Sequence, residues 1–446
     1  MIPRQLTSRG IVGGMVAAFL VELLMLTWCR GWFGHLASPV VFFAASLAMG
    51  LMGIALALSA CDQAERREPR KVSAALVLFA LLVAFASLAA SHIFAVTPID
   101  AAISDIIPQI QTMVQRFLRG EMPYRPIPYD GYVMFPTYQP LQWLPIAPAE
   151  LFGFDYRFMP LAVFTVAYAA YVLWVVNEAD NAPLRMTLTL LPYLVLASLM
   201  QTAPEVFGHT VEPLVAGYYL LLCLGTVRLN TLGIAGGLSL CLFSRYAVVL
   251  WVPLAVLVVW LEKGWRDVAK LAAVMLAVFA VVEFPFLLQD PRLTLKSYAS
   301  HSGSALAEWD GQSWQPQGAL PYQLFRGIGF ASWFYTFWEG ALGDKLRAVR
   351  TVHLVLSLSV VAGMAWWFVR ARARLSARVF LLASLKVYLS VFYHFIHIPY
   401  NYIFMVPMMA SVVLLAECLM VSSRVGSLRL AHRATSAPAA HRSASS

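Results

Sequence analysis

The sequence predicts an all-α integral membrane protein, and three observations predict it. Of 446 residues, 60% are hydrophobic and only 12% charged, a balance outside that of soluble globular domains. Apolar runs of spanning length, about 20 residues each, recur along the whole chain. Basic clusters such as Arg370, Arg372 and Arg374 punctuate them, as short cytoplasmic loops of polytopic proteins do. The formal net charge of +9 follows from those clusters, so nucleic acid is not an expected partner. Cys29, Cys61, Cys223, Cys241 and Cys418 show neither CxxC spacing nor a disulfide framework.

In chain order the apolar segments are 11–28, 39–60, 72–96, 158–176, 186–203 and 211–227, then 232–243, 247–261, 271–288, 351–369, 379–395 and 402–419. That makes about twelve spans. An even count puts both termini on one side, and the bias of Lys and Arg in the short segments makes that side cytoplasmic. The first run lacks a small-residue cleavage site before Trp28 and Cys29, so it reads as a retained anchor rather than a signal peptide. Residues 1–422 form a single polytopic domain, and 423–446, rich in Ser, Ala and Arg, read as a disordered cytoplasmic tail.

This orientation leaves two long outer loops, 97–157 and 289–350. Loops of that length are usually functional or disordered. Their aromatics, among them Tyr124, Tyr138, Trp309, Trp314 and Trp333, argue against disorder. The expectation is two folded loops with short amphipathic helices on the outer membrane face.

In the first outer loop Ile103, Ile106, Ile110, Met113 and Phe117 recur every three or four positions, opposite Asp105, Gln109, Thr112, Arg116 and Arg119. This spacing predicts an amphipathic surface helix from Ser104 to Leu118. Ser104 suits the N-cap, and Pro108 is tolerated only near the first turn. Asp105 then sits at the helix start, where the macrodipole favours the carboxylate. A carboxylate held there can accept a proton from a hydroxyl, or it can simply solvate the helix end. Asp100 has the same two readings in a weaker position.

Ser104-Asp105 before an apolar helix, then Arg119-Gly120-Glu121-Met122-Pro123-Tyr124, then Tyr138-Gln139-Pro140-Leu141 and a Pro-rich return to the membrane, resembles the first outer loop of polytopic glycosyltransferases of the GT-C fold. The likeness is nearest to the branch related to bacterial α-mannosyltransferases and covers roughly 98–148. The resemblance implies transfer of a hexose or pentose, with inversion, from a polyprenyl-phosphate sugar to a glycan or glycolipid acceptor outside a bacterial inner membrane. It gives Asp105 the role of catalytic base. Two features depart from the family: an aromatic often found a few positions after the aspartate is absent, with Pro108 nearby instead, and two additional spans precede the loop. The sugar, the acceptor and any divalent metal are not implied.

Such chemistry needs a base, cations for the departing phosphate and a lipid groove. The segments 232–243 and 247–261 are short; about 13 residues rise roughly 20 Å against a core of about 30 Å. Their link, Ser244-Arg245-Tyr246, should therefore lie below the outer surface. Arg245 is the leading phosphate ligand, with snorkelling to headgroups as the alternative. Lys296 and Arg326 in the second loop are further phosphate candidates, and His301 a substrate contact. Tyr124, Tyr138, Glu205, His209, His397 and Asn401 are candidate lining residues. His394-x-x-His397 could place two imidazoles on one helical face, but no third ligand is evident and no metal site is assigned. Tyr298, Trp309 and Trp314 could stack on sugar or belong to an interfacial belt.

No P-loop, H-E-x-x-H or Asp-x-Asp pattern occurs, which removes the commonest nucleotide and zinc-protease readings and fits a lipid-linked donor. Two rivals remain. A twelve-span secondary transporter or flippase shares the span count, with Glu22, Glu283, Lys386 and Glu417 as a possible ion path. A polysaccharide polymerase or ligase would use loop arginines such as Arg116, Arg119, Arg125, Arg292 and Arg326 on a diphosphate carrier.

Overall fold

The computed structural model describes residues 8–59, 73–129, 132–311 and 318–435. Arg4, Cys61, the basic cluster at 66–71, Trp314 and the tail beyond Thr435 lie outside the described residues. The first half of the chain forms α1 (Ser8–Leu26), α2 (Gly34–Ser59), α3 (Ser73–Val96), α4 (Ile106–Leu118), α5 (Pro140–Trp143), α6 (Ala147–Phe152), α7 (Phe158–Glu178), α8 (Ala182–Thr202), α9 (Glu205–His209) and α10 (Glu212–Val227). The second half forms α11 (Thr231–Leu242), α12 (Val252–Lys263), α13 (Trp265–Val282), α14 (Phe284–Gln289), α15 (Leu293–Asp310), α16 (Ala331–Phe337), α17 (Leu342–Ala371), α18 (Ala377–His394) and α19 (Met405–Thr435). A hairpin of β1 (Ile127–Tyr129) and β2 (Tyr132–Met134) is antiparallel, with Tyr129 opposite Tyr132.

Each predicted apolar segment is helical. Seven helices among the described residues are long and apolar enough to cross a bilayer, while Gly10–Leu26, Glu212–Val227 and Thr231–Leu242 are apolar but shorter. The last helix runs to Thr435, beyond the 422 boundary read from sequence. On α3, Val77, Leu81, Phe85 and Leu88 are exposed, as are Leu354, Val355, Leu358 and Trp366 on α17. Apolar surface of that extent facing outward fits lipid rather than water. By contrast α10 and α18 are buried around nearly their whole circumference and form the centre with α19.

The hairpin of α1 and α2 docks on the end of the chain: α2 packs along α18, and α1 along α19. Inside that seam Lys386 is ion-paired with Glu22. Lys386 Nζ also donates to Ser46 Oγ at 2.8 Å, and Ser411 Oγ donates to Glu22 Oε2 at 2.6 Å. Helices α10 and α11 meet through glycine. A Cβ on Gly237 would lie 2.6 Å from Leu222 Cα, and one on Gly225 2.6 Å from the Gly233 carbonyl carbon. Backbones can approach so closely only where side chains are missing.

Both long loops fold at one end of the bundle and touch. Ser297 and Ser300 of α15 donate to the carbonyls of Pro136 and Phe135 at 3.3 and 3.2 Å. The turn between α1 and α2 and the turn between α18 and α19 close over the same end: Trp333 Nε1 donates to Leu36 O at 2.8 Å, and Phe330 N to His394 O at 2.8 Å.

Candidate functional site

Helix α4 starts at Ile106, not at Ser104, and Asp105 takes the N-cap position without a capping hydrogen bond from its side chain. Ser104 instead donates its hydroxyl to His209 O at 3.3 Å, tying the loop to α9. The face that α4 buries is Ile107, Ile110, Met113 and Val114 together with Gln109. Ile103 and Phe117, expected to be inward, are 58% and 40% exposed. The buried face is set by packing of α4 on α5 and α6 of its own loop. At its far end Gly120 is left-handed (φ +73°) and Glu121 N donates to Arg116 O at 2.9 Å, closing the helix as a glycine-ended turn does.

The uncapped Asp105 carboxylate is half-buried. Tyr132 of the hairpin donates to its Oδ2 at 3.4 Å. Burial pushes the carboxyl above its ordinary range, and the Tyr132 hydrogen bond opposes that. Desolvation therefore outweighs the stabilisation of the anion expected from the helix start. The hairpin itself is held by Arg116, which donates to the carbonyls of Arg125 at 2.6 Å and Pro126 at 3.1 Å.

Beyond Tyr132, the phenols of Tyr129, Tyr138 and Tyr402 lie within electrostatic reach of Asp105, and the last two also feel Arg245. Arg245 sits at the break between α11 and the 3₁₀ turn Tyr246–Trp251, where the short segments place it. The first long loop is seated on that break. Leu141 N donates to Phe243 O at 2.8 Å, and Tyr218 OH to Leu141 O at 3.0 Å. Arg245 is paired within the protein. Its Nη1 and Nη2 donate to both oxygens of Glu212, each at 2.8 Å, and Glu212 is 1% exposed. A fork-to-fork pair of this kind fixes the guanidinium plane and uses two of the roughly five N–H donors that arginine has.

The other expected residues are placed as follows. Tyr124 is a strut: it donates to Tyr138 O at 3.0 Å and accepts from the fully buried Trp143 at 3.2 Å. Asp100 is exposed and its Oδ1 accepts from Ala102 N at 2.9 Å, capping its own turn. Lys296 is paired with Asp290 at 2.5 Å on the outside. Arg326 faces Glu205 at 3.7 Å, and Asn401 donates to that same Glu205 oxygen at 3.3 Å. His209 is half-buried, and burial with the nearby Arg157 lowers its pKa. His301 and His397 stack edge to face at 5.3 Å, and burial, with the nearby Arg350 adding to it, lowers the pKa of both.

His394 and His397 do not share a helical face. Helix α18 ends at His394, whose ring is fully buried against Phe42 and Phe404 with Nδ1 at 2.7 Å from Ser390 O. Among the described residues no group of three His, Cys, Asp or Glu side chains is arranged for a metal ion. Trp309 is a core residue, fully buried and donating to His397 O at 2.8 Å, so it presents no face to a sugar. Tyr298 is 65% exposed.

Sequence reasoning gave no role to Tyr132, Tyr402, Arg157 or the Glu212 partnership. Arg157, 5% exposed, donates to Asp155 and to the carbonyls of Thr97 (2.6 Å) and Phe94 (3.1 Å), and so fixes where α3 hands over to the loop. Arg157 is legible only as an arginine before an apolar run. The tyrosines carry no signal at all, because long-range packing alone brings them to Asp105. The arrangement thus joins a half-buried carboxylate, a set of phenols and a clamped guanidinium at the end of the bundle that carries the two long loops. Neither protein-family models, nor curated proteins, nor solved structures give a significant match to this chain.

Proposed function

We propose that this chain is a GT-C-type membrane glycosyltransferase that moves a sugar from a polyprenyl-phosphate donor to a lipid or glycan acceptor on the outer face. The observation that carries the reading is the uncapped, half-buried Asp105, which shares Tyr138 and Tyr402 with Arg245. A carboxylate whose proton affinity is raised by burial is a better base for a hydroxyl than a solvated one. In the proposed step the acceptor oxygen bonds to the anomeric carbon while the bond from that carbon to the phosphate oxygen breaks. The hydroxyl proton passes to Asp105, and the phosphate leaves with the electron pair. Arg245, held in orientation by Glu212, presents its remaining donors to that phosphate. Tyr138 and Tyr402, within electrostatic reach of both groups, supply hydrogen-bonding walls for a sugar.

On this reading all twelve apolar segments cross a bacterial inner membrane, and both termini are cytoplasmic. Lys296 and Arg326, which face Asp290 and Glu205, are given no part at the leaving phosphate in this step. Of the four groups that the carrier alternative would use, Glu22 and Lys386 are paired with one another in a buried seam with the serines around them. Purified protein reconstituted with a pool of polyprenyl-phosphate sugars should transfer sugar and show no proton-coupled flux in otherwise empty liposomes. Flux without transfer would overturn the proposal in favour of the carrier.

A further inference from the structure

The turn joining α1 to α2 carries an arginine that the proposed chemistry leaves unused. Arg30 Nη1 is buried and has no hydrogen-bond partner. Its guanidinium lies within electrostatic reach of both Arg326 and Glu205. Arg326, only 14% exposed, sits 4.9 Å above the Tyr322 ring and 3.7 Å from Glu205 Oε1. Asn401 donates to that same oxygen at 3.3 Å. Two guanidiniums therefore share one carboxylate, with a formal surplus of one positive charge and an unfilled buried donor. Leaving such a donor unpaired is costly, as is holding like charges together.

The juxtaposition is built into the backbone. Gly327 has φ +75°, and a Cβ there would lie 2.4 Å from Arg30 O, so the 318–341 segment is pressed directly on the turn. Ser332 and Trp333 donate to the carbonyls of His35 and Leu36 at 3.2 and 2.8 Å, fastening the same contact. Glu205 leaves 45% of its side chain open, which marks the accessible side. Beside Arg30, Trp28, Trp32 and Phe33 are 46%, 74% and 56% exposed. Exposed aromatics next to a buried arginine at a helix end are the pattern of headgroup depth in a bilayer.

We infer that Arg30 and Arg326 form an oxyanion site, gated by Glu205, for the phosphate of an anionic lipid headgroup entering at the α1–α2 turn. Guanidinium forks match phosphate oxygens in geometry and charge, and one phosphate would fill the orphan donor and cancel the surplus. Glu205 then acts as the resident competitor, holding Arg326 until the headgroup arrives. If the protein transfers sugar as proposed, this is where an anionic lipid acceptor docks; that assignment alone rests on the proposed function, whereas the site does not.

The test is retention of dioleoyl phosphatidic acid by the full-length protein, read by native mass spectrometry, with inorganic phosphate as the soluble probe. Hydrogen exchange over 318–341 reports occupancy by either. Arg30→Gln and Arg326→Gln should each weaken lipid retention about tenfold or more, the usual loss for a charge-assisted hydrogen bond. Glu205→Gln should tighten it, a change of sign that a merely structural carboxylate does not give. Unchanged retention in Arg30→Gln, or weaker retention in Glu205→Gln, overturns the inference. If inorganic phosphate protects 318–341 as tightly as the lipid does, the headgroup assignment is overturned. Should one arginine variant fail to fold, the other and Glu205→Gln still decide. None of these readouts depends on sugar transfer, so failure here leaves the proposed chemistry standing.

Discussion

Lys386→Met should be among the most damaging single substitutions in the bundle, and the structure fixes the size of the effect. Lys386 is fully buried on α18 and bonds Glu22 of α1, Ser46 of α2 and Pro407 O of α19 at 3.3 Å. Removing the ammonium leaves the Glu22 carboxylate, 1% exposed, with Ser411 as its remaining hydrogen-bond donor. Breaking one side of a buried pair costs about 3–5 kcal/mol. The double variant Glu22→Leu/Lys386→Met leaves no charge behind. Its serines keep acceptors, since Ser411 also reaches Pro407 O at 3.3 Å and Ser46 and Ser390 share a hydrogen bond at 2.8 Å. Paired removal of such charges is often neutral or stabilising, so the double should recover at least about 2 kcal/mol relative to Lys386→Met. Unfolding in mixed detergent, followed by tryptophan fluorescence and far-UV circular dichroism, measures all three differences. A Lys386→Met loss below about 1 kcal/mol, or strictly additive singles, would refute the seam as a coupled charge pair.

Two further outcomes follow from local geometry. Gly237→Ala should cost about 1–3 kcal/mol by forcing α10 and α11 apart, whereas Gly236→Ala, where a new Cβ meets nothing within 4 Å, should be close to neutral in the same unfolding assay; equal effects would contradict the close packing. Tyr132→Phe removes the hydrogen bond that lowers the Asp105 pKa, so the carboxyl keeps its proton to higher pH. A base must be ionised, so the acid limb of any transfer activity should move to higher pH while the plateau is retained. An acid limb that stays put or moves down would show that Tyr132 does not act on the base.

Much of the architecture was legible because it depends on local apolarity. All twelve apolar segments became helices, and the short pair around Arg245 marked the break on which the first loop is seated. The amphipathic helix was also legible, and Ile110 and Met113 of its expected inward face are buried, while Ile103 and Phe117 are exposed because the face follows packing on α5 and α6. Asp105 and Arg245 could be picked out as charges in unusual places. Their partners could not: Tyr132 and Glu212 come from separate stretches of chain and meet the two charges only by tertiary packing. The same holds for Arg30, which reads as a flanking charge until Gly327 presses Arg326 against its turn. His394 and His397 show the reverse error, where an i,i+3 spacing is undone by a helix that stops between them.

The central claim is that Asp105 takes the proton of an acceptor hydroxyl. The measurement that bears on it most directly is sugar transfer from polyprenyl-phosphate sugars by reconstituted wild type and Asp105→Asn, matched for folding by elution profile and unfolding midpoint. The amide keeps the shape and removes the base, so transfer should fall by about two orders of magnitude or more. Wild-type transfer with an equally active Asp105→Asn would contradict the assignment.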